Sequence, residues 1–496
     1  MPRSIPDTLA AAIAADEAGH LDEAVALYAE VLAADPGCVD ALLNLGALAF
    51  RVGQFAEAAN FQREALALRP DFQPARINLA RTLARLGEVD EADVLYRQLQ
   101  ASAAATTDLQ SEHIQLLYGD GRLAAARELA DAACELLPRE AECWLLAGNV
   151  RLYQRDRAGA ERCYRQALAC HDNSRGRANL ALALLAQDRF GEAWPLYEAR
   201  YAADLQAHDK VAFAVDGDPP PWPQWQGESL AGKRILVMGE QGMGDQIHFA
   251  RFLPQLAALG ASVELVCAAP LLPLLTATPG VAAVHARPPA NAAFDCWTPL
   301  LSLPWRLGQE DGRAWPGAPY LQAPADRQAD WRKQFAQWAG TSGLPRVGIA
   351  WAGSPGNAID RMRSLPLDAV LDLAERLRGR VMLLSLQKGA GELADIDRQC
   401  AAGIVPLADL IHDFGDTAAI VAELDCVIMV DTALAHVAGA LGKPGFVLLS
   451  PGADWRWGTE GDTAAALYPS LRPLWRDPVA GWKPALERVE QALGSH

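Results

Sequence analysis

The sequence predicts an α-helical solenoid followed by an α/β region with two Rossmann-like lobes, and three observations indicate this fold class. A 34-residue period of small residues runs through the first two hundred positions of the 496-residue chain. A connector rich in proline and tryptophan follows it. Beyond the connector, short aliphatic or β-branched runs alternate with helices rich in alanine and leucine, which is typical of parallel sheets.

The repeats are defined by glycines and alanines that recur every 34 residues. The glycines are Gly19, Gly53, Gly87 and Gly121, and the alanines are Ala24, Ala58, Ala92, Ala126 and Ala160. Arg155 stands one period after the last glycine, and a final copy at residues 188–193 (DRFGEA) arrives one residue early. Each glycine supplies a break between two helices, and each alanine lets them cross closely. The pattern resembles the tetratricopeptide repeat, and about six repeats are expected over residues 7–205.

A stacked array of such repeats forms a curved solenoid whose concave face binds a polypeptide. The other interpretation of the repeats is an arm for dimerisation or packing, which would allow a homodimer. Residues 206–227 are predicted to be a linker, because the segment DGDPPPWPQWQG cannot hold a helix. Few contacts are expected to cross this linker.

The α/β region is predicted to hold an N-terminal lobe at 228–325, a C-terminal lobe at 340–475 and a C-terminal helix at 476–496, with the stretch from 315 to 343 separating the lobes. The predicted strands are residues 234–238, 262–267, 346–350, 381–385, 426–430 and 445–449. Two facing lobes of this kind form a ligand cleft between the carboxyl ends of their strands.

Composition excludes several classes of protein. The chain has 44 basic and 61 acidic residues, a net charge of −17, which argues against nucleic-acid binding. Its nine cysteines include no C-x-x-C pair, so neither a zinc ribbon nor a disulfide framework is indicated, and a cytoplasmic location is expected. Prolines interrupt the apolar run at 266–284, so no membrane span is predicted.

The first predicted strand is followed by a glycine-rich turn, residues 239–245 (GEQGMGD). A dinucleotide fingerprint fails because Ile247 stands where glycine or alanine is required, and no P-loop lysine follows. The turn brings Asp245 to a helix start, where it is either a capping residue or a general base, with His248 one turn further along.

Three further loops follow strands of the second lobe. They carry Arg361 and Arg363 in DRMRSLP, Lys388 in SLQKG, and Asp431 with Thr432 before a helix. Cations and the free amides of a helix start are suited to a diphosphate, and no metal cluster is written in the sequence. Taken singly, Asp431 and Thr432 could be helix caps, His436 a packing residue and Arg363 a solvated surface group.

The ordered motifs resemble the heptosyltransferase-type GT-B glycosyltransferases, glycosyltransferase family 9. The likeness lies in G-D-x-x-H at 244–248 and D-T-x-x-x-H-x-x-G-A-L-G-K-P at 431–444. The whole layout is similar to bacterial proteins that fuse tetratricopeptide repeats to such a domain, including flagellin glycosyltransferases. This layout also includes DWRWG at 454–458.

The resemblance implies roles for individual residues. Asp245 matches the catalytic base, Arg363 takes the place of a lysine that contacts donor phosphate, and Glu392 falls where an acidic residue holds the ribose. The expected catalytic residues are Asp245 and His248, and the expected donor-binding residues are Ser354, Arg363, Gln387, Lys388, Glu392, Asp431, Thr432, Ala433 and His436. Ala433 and Leu365 depart from the glycine and tryptophan usual at their positions.

The function implied is inverting, metal-independent transfer of a sugar from a nucleotide-sugar to a protein hydroxyl, with no cofactor besides the donor substrate. The repeats would recognise the polypeptide acceptor, which the likeness suggests is flagellin or another surface polypeptide. Two alternatives remain: an enzyme of lipopolysaccharide or other glycan assembly whose repeats are a docking arm, and a noncatalytic repeat scaffold.

Overall fold

The computed structural model describes residues 4–102, 106–205, 220–290, 292–310, 315, 317–339, 343–353, 360–389, 396–458 and 467–494. The chain divides into two compact units, residues 1–150 and 151–496. No helix among the described residues is long and apolar enough to cross a membrane.

The first unit consists of antiparallel helix pairs. Its helices are α1 (Ile5–Glu17), α2 (Leu21–Ala34), α3 (Val39–Arg51), α4 (Phe55–Leu68), α5 (Gln73–Leu86), α6 (Val89–Gln100), α7 (Thr107–Gly119), α8 (Leu123–Leu136) and α9 (Ala141–Tyr153), the last of which ends in the second unit. Their cores are mainly alanine, leucine and valine side chains, with the buried tyrosines Tyr28 and Tyr96 in two of the pairs.

The repeat pattern continues into the second unit. It begins with α10 (Arg157–Cys170), α11 (Ser174–Leu185), α12 (Phe190–Tyr197) and a 3-10 turn, Glu198–Tyr201. The residue between the two helices of every described repeat has a left-handed backbone. It is Gly19, Gly53, Gly87 and Gly121, then Arg155 (φ 65°) and Asp188 (φ 57°). The five recurring alanines are fully buried. The predicted period and its early last copy are therefore confirmed.

The first lobe is a four-stranded parallel sheet in the order β3-β2-β1-β4. Its elements are β1 (Arg234–Met238), α13 (Met243–Phe249), α14 (Leu253–Ala258), β2 (Ser262–Val266), α15 (Leu272–Leu275), β3 (Val281–His285), β4 (Cys296–Pro299) and α16 (Leu303–Arg306). β1 is central, with Val237 beside Leu265 of β2 and Thr298 of β4.

The second lobe is a six-stranded parallel sheet in the order β10-β9-β8-β5-β6-β7. Its elements are α17 (Ala325–Ala339), β5 (Arg346–Ala350), α18 (Asp360–Arg363), α19 (Leu367–Leu377), β6 (Met382–Ser385), α20 (Ile396–Ala401), β7 (Ile404–Pro406), α21 (Phe414–Ala422), β8 (Cys426–Val430), α22 (Ala433–Ala440), β9 (Gly445–Leu449), β10 (Leu471–Trp475) and α23 (Lys483–Gly494).

The strand order of the second lobe reverses between β5 and β8, which makes the space beyond their carboxyl ends the place where a ligand binds in such sheets. Val427 and Met429 of β8 face one hydrophobic core and Ile428 and Val430 face the other, as alternation along a strand requires. All six predicted strands are present, two of them one residue shorter than expected. The α-solenoid followed by two Rossmann-like lobes is confirmed.

Two segments outside the predicted bounds of the second lobe pack against it. The stretch from 315 to 343, expected to separate the lobes, contains α17, whose Arg327 is 3.0 Å from Asp416 of α21. The C-terminal helix is α23, and its Val489 is buried in the same core as Leu373 of α19. Both segments thus belong to the second lobe.

The terminal repeat packs against the α/β region. Trp194 of α12 is 1% exposed and lies in an aromatic cluster with Phe190, Phe249, Trp315 and Trp455. The ring centroids are 5.9–6.5 Å from that of Trp194. The division between the compact units lies at residue 150, so the terminal repeat and the lobes belong to one unit. Contacts therefore join the parts of the chain on either side of residues 206–227, where few contacts were expected.

Candidate functional site

A cavity of about 740 Å³ lies between the two lobes at the carboxyl ends of β1, β5, β6 and β8. Eight predicted site residues line it: Asp245, Arg363, Gln387, Lys388, Asp431, Thr432, Ala433 and His436. Because they come from four separate loops, their convergence follows from the parallel topology. Ser354 and Glu392 lie outside the described residues, and so does the side chain of Arg361.

Asp245 is in the first turn of α13, and its carboxylate has two partners. One oxygen accepts a hydrogen bond from the Gly242 amide at 3.1 Å, and the other accepts one from Arg456 Nη2 at 2.8 Å. Its side chain is 22% exposed and lines the cavity. Burial raises the pKa of Asp245, and the positive charge of Arg456 opposes that rise. The carboxylate therefore caps the helix and also faces the cavity.

Arg456 and Asp454 are cavity residues to which sequence reasoning gave no role. Arg456 is 6% exposed, and its Nη1 lies 2.9 Å from Asp454 Oδ1. The guanidinium thus bridges Asp454 of the second lobe and Asp245 of the first. Both residues belong to the motif DWRWG. Its acidic and basic residues, two positions apart and separated by a tryptophan, are the signal that could have identified them.

Arg363 is held near the carboxyl end of β5. Its Nε lies 3.0 Å from Asp360 Oδ1, and its Nη1 donates to the Asp431 carbonyl oxygen at 3.1 Å. The guanidinium occupies the space that a side chain at Gly353 would need. This fixes a positive charge beside the loop that follows β8, and Arg363 is a half-buried cavity residue rather than a solvated surface group.

The start of α22 faces the cavity. Thr432 is its N-cap, with φ −141°, and no side chain caps the helix. The Thr432 hydroxyl instead donates to the Val430 carbonyl at 3.4 Å. The Ala435 amide donates to the Thr432 carbonyl oxygen at 2.9 Å, whereas the amides of Ala433 and Leu434 have no intrahelical partner and are suited to an anion.

Asp431 precedes this helix start. Burial, with the neighbouring Asp454 carboxylate adding to it, raises the pKa of Asp431 to about 6. Arg363 and Arg456 oppose the rise. Asp431 is thus a carboxyl group that changes charge near pH 6 beside a site suited to anions.

His436 and His248 have different environments. His436 lines the cavity, stacks on Trp457 at 5.4 Å and has its Nδ1 3.0 Å from the Tyr468 hydroxyl. His248 is fully buried, its Nδ1 is 2.8 Å from the same hydroxyl, and it does not line the cavity. Burial lowers the pKa of both rings well below the ordinary value, so both are neutral. The position of His248 is that of a packing residue and not of a group that touches substrate.

A close approach of the two lobes explains one glycine of the predicted motif. A Cβ added at Gly244 would lie 2.7 Å from the His436 ring. The first turn of α13 therefore packs directly on α22, and only glycine fits there.

Gln387 and Lys388 line the cavity but have protein partners. The Gln387 side chain accepts from the amides of Trp351 and Ala352 and donates to the carbonyls of Ala352 and Lys388, at 2.9–3.1 Å. It therefore joins the ends of β5 and β6. Lys388 Nζ donates to the Ala408 carbonyl at 2.7 Å, so its charge remains beside the cavity. Among the described residues, no three His, Cys, Asp or Glu side chains are grouped to hold a metal ion.

Comparison with known proteins identifies the repeats. Models of the tetratricopeptide repeat match residues 9–71 and 49–111. Residues 9–111 are tetratricopeptide repeats. Together with the sheet topology described above, these matches confirm the expected combination of tetratricopeptide repeats with a two-lobed α/β region of the GT-B type.

A curated relative and two solved structures are similar to the chain. Protein FlbA of Caulobacter vibrioides is 31% identical over 340 residues, which are 63% of this chain and 54% of that protein. The chain thus spans about half the length of this relative. A family 9 glycosyl transferase from Veillonella parvula DSM 2008 has a TM-score of 0.40 and 13% identity over 51% of this chain and 88% of its own. The MamA protein has a TM-score of 0.32 and 19% identity over 34% of this chain and 92% of its own.

Proposed function

We propose that the second unit is a glycosyltransferase that binds a nucleotide-sugar in the cavity between its lobes and transfers the sugar to an acceptor hydroxyl. The observation that carries this proposal is that a carboxylate and groups suited to an anion face the same cavity from different lobes. Asp245 supplies a carboxylate from the first lobe, while Arg363 and the uncapped start of α22 offer positive charge and free amides from the second.

The donor diphosphate is expected at the start of α22. The amides of Ala433 and the next residue point to this space, and the helix dipole adds a partial positive charge. Arg363 and Lys388 extend the same surface with full charges. Because these groups can neutralise a diphosphate by themselves, we expect transfer to proceed when EDTA is present.

Asp245 is the proposed base. It would take the proton of the acceptor hydroxyl as that oxygen attacks the anomeric carbon from the face opposite the diphosphate. The new bond to the acceptor forms while the bond from the anomeric carbon to the diphosphate oxygen breaks, so the sugar configuration inverts. The nucleoside diphosphate leaves with the electron pair, stabilised by the α22 amides and Arg363.

Arg456 is proposed to keep Asp245 ionised. Burial alone disfavours the charge that a base must carry, and the guanidinium at 2.8 Å counters this. Glu392 and Ser354, named on the family resemblance as donor-binding residues, stay part of the proposal.

The acceptor is proposed to be a polypeptide, such as flagellin or another exported surface protein. The support is architectural, since a solenoid of tetratricopeptide repeats has an extended concave surface. The enzyme would then act on the acceptor in the cytoplasm, before export, because nucleotide-sugars are available there.

A screen of nucleotide-sugars tests the proposed activity. The full chain should release a nucleoside diphosphate from at least one sugar donor, and the release should not require a divalent cation. If no donor is bound or turned over while the protein is folded, a noncatalytic scaffold is the better description.

Acceptor capture tests the finer part of the proposal. The first compact unit, residues 1–150, should by itself retain an exported polypeptide whose intact mass falls by one or more sugar residues in cells that lack this protein. Retention of no polypeptide that the full chain modifies, together with transfer to a carbohydrate acceptor, would support glycan assembly instead.

A further inference from the structure

The glycine-rich turn that leads to Asp245 is tied to the terminal repeat by a buried ion pair. Glu240 is 0% exposed and Arg200 is 3% exposed. Arg200 Nη2 lies 3.1 Å from Glu240 Oε1, and Arg200 Nε lies 3.3 Å from Oε2. Glu240 also accepts hydrogen bonds from the Tyr201 hydroxyl and from the Leu301 amide, the latter at 2.9 Å. A carboxylate of the transferase region thus depends for its countercharge on the last turn of the repeats.

The next residue of the turn is held from the same side. Gln241 has φ 58°, a left-handed backbone that residues other than glycine rarely adopt. Its side-chain amide donates to the Tyr197 hydroxyl at 2.9 Å. Since such a conformation persists only where its surroundings fix it, the repeat contributes to the shape of the turn.

The shape of this turn determines where Asp245 points. Gly242, immediately after Gln241, donates its amide hydrogen bond to the Asp245 carboxylate. The other partner of that carboxylate, Arg456, follows Trp455, whose ring lies 6.1 Å from that of Trp194 in α12. Residues 190–201 therefore contact the chain neighbours of both groups that donate hydrogen bonds to Asp245.

We propose that Arg200 is a positioning residue for the transferase reaction and that the terminal repeat is part of the catalytic unit. This proposal rests on the proposed function, because it assigns Arg200 a role in aligning the base. Arg200 acts through Glu240 and the 239–242 turn and does not touch substrate. The repeats would then couple acceptor recognition to the geometry of the base.

Removing Arg200 alone should disturb the turn. It would leave the buried Glu240 carboxylate without its main countercharge, a cost that movement of the turn, entry of water or uptake of a proton would relieve. The nucleotide surface should be unaffected, because Arg363, Thr432 and Ala433 belong to the second lobe and do not contact this pair.

The test compares four variants of the full chain. Arg200→Ala removes the countercharge, Arg200→Lys keeps a charge, and Arg200→Met with Glu240→Gln removes both charges at similar volume. Arg234→Ala is the control, because it breaks an ion pair with Glu264 at the opposite end of β1. Hydrogen exchange over residues 239–245, thermal unfolding, nucleoside-diphosphate affinity, and kcat and KM for the donor are measured for each.

We expect Arg200→Ala to lower kcat at least tenfold, with nucleoside-diphosphate affinity and donor KM within twofold of wild type and faster exchange confined to 239–245. Arg200→Lys should recover part of kcat, and Arg234→Ala should match wild type. If Arg200→Ala does not fold, the double variant is decisive. It should show the same split between kcat and KM, because methionine at position 200 donates none of the hydrogen bonds through which Arg200 fixes the side chain at position 240.

Unchanged kcat and unchanged exchange in whichever variant folds would overturn the proposal, as would loss of donor affinity in parallel with kcat. If wild type turns over no donor, the proposed function fails. The exchange measurement then decides separately whether Arg200 holds the turn.

Discussion

Arg456 of the second lobe donates a hydrogen bond to Asp245 of the first lobe, with 2.8 Å between Nη2 and Oδ1. The two residues are 211 positions apart, and their contact joins the lobes across the cavity. The guanidinium lowers the pKa of a carboxyl group that burial raises. The charge of the candidate base therefore depends on the other lobe.

The first prediction concerns this charge. Arg456→Met should raise the pKa of Asp245, because an opposing positive charge is lost. The acidic limb of the profile of kcat/KM against pH should then move to higher pH by about one pH unit or more. Arg456→Lys should move it less. An acidic limb that stays in place, or moves to lower pH, would show that Arg456 does not control the ionisation on which catalysis depends.

The second prediction concerns donor affinity. Arg363→Ala should weaken nucleoside-diphosphate binding by about 10- to 100-fold, since a charge-assisted contact to phosphate is lost. Thr432→Ala should cost roughly 2- to 10-fold, because only a neutral hydroxyl is removed. Calorimetric titration measures both. Equal and unchanged affinity in the two variants would refute the assignment of this surface to the diphosphate.

Gly353→Ala tests the same surface through geometry. Its new methyl group would overlap the Arg363 guanidinium and displace it. Nucleoside-diphosphate affinity should therefore fall about as far as in Arg363→Ala, although no charge has been removed. Gly317→Ala is the matched control, because a Cβ there meets no atom within 4 Å. Wild-type affinity in Gly353→Ala would mean that the position of Arg363 does not matter for binding.

The third prediction concerns stability. Asp431 has a pKa of about 6 against an ordinary value of 3.8, so the folded state binds its proton more tightly than the unfolded state does. Ionised Asp431 therefore destabilises the fold above pH 6, and this cost disappears as the pH falls towards 4. Asp431→Asn should raise the free energy of unfolding at pH 8 by an amount on the order of 2–3 kcal/mol.

Urea denaturation at pH 8 and at pH 4.5 measures the effect. The difference between Asp431→Asn and wild type should shrink at the lower pH, because wild-type Asp431 is then protonated in the folded state. A difference that is absent at pH 8, or that grows on acidification, would contradict the raised pKa.

The fourth prediction concerns the boundary between the units. A fragment of residues 151–496 should fold, because it keeps Arg200 with Glu240 and Trp194 with its aromatic neighbours. A fragment of residues 228–496 leaves the Glu240 carboxylate unpaired and exposes Trp315 and Trp455. Its melting temperature should be lower by about 10 °C or more, or it should aggregate. Equal melting temperatures of the two fragments by calorimetry would mean that contacts with the terminal repeat do not stabilise the lobes.

The loops of the candidate site could be predicted from sequence because each follows a strand with a strong hydrophobic signal. β1, β5 and β8 are runs of aliphatic residues, and parallel topology brings their carboxyl ends together. The 34-residue period predicted the turn at Arg155, and the similarity of residues 188–193 to the repeat predicted the early turn at Asp188, although neither position is a glycine.

The remaining features could not be predicted because their signals are short or distant. β4, β7 and β10 have three to five residues and each contains a proline, which argues against a strand. The partners Arg200 and Glu240 are 40 residues apart, on either side of a segment with the composition of a linker. His248 shares a helical turn with Asp245 in the sequence, but its ring turns into the core towards Tyr468.

The most direct test of the central claim is the rate of sugar transfer by wild type and by Asp245→Asn, measured as the release of nucleoside diphosphate from the donor. Nucleoside-diphosphate affinity is measured on the same samples. Asparagine keeps the size of the side chain and an oxygen that can accept from the Gly242 amide, but it cannot take a proton. Transfer should fall by roughly 100-fold or more while the affinity stays within twofold. A transfer rate within a few-fold of wild type would contradict the account and leave Asp245 as a helix cap.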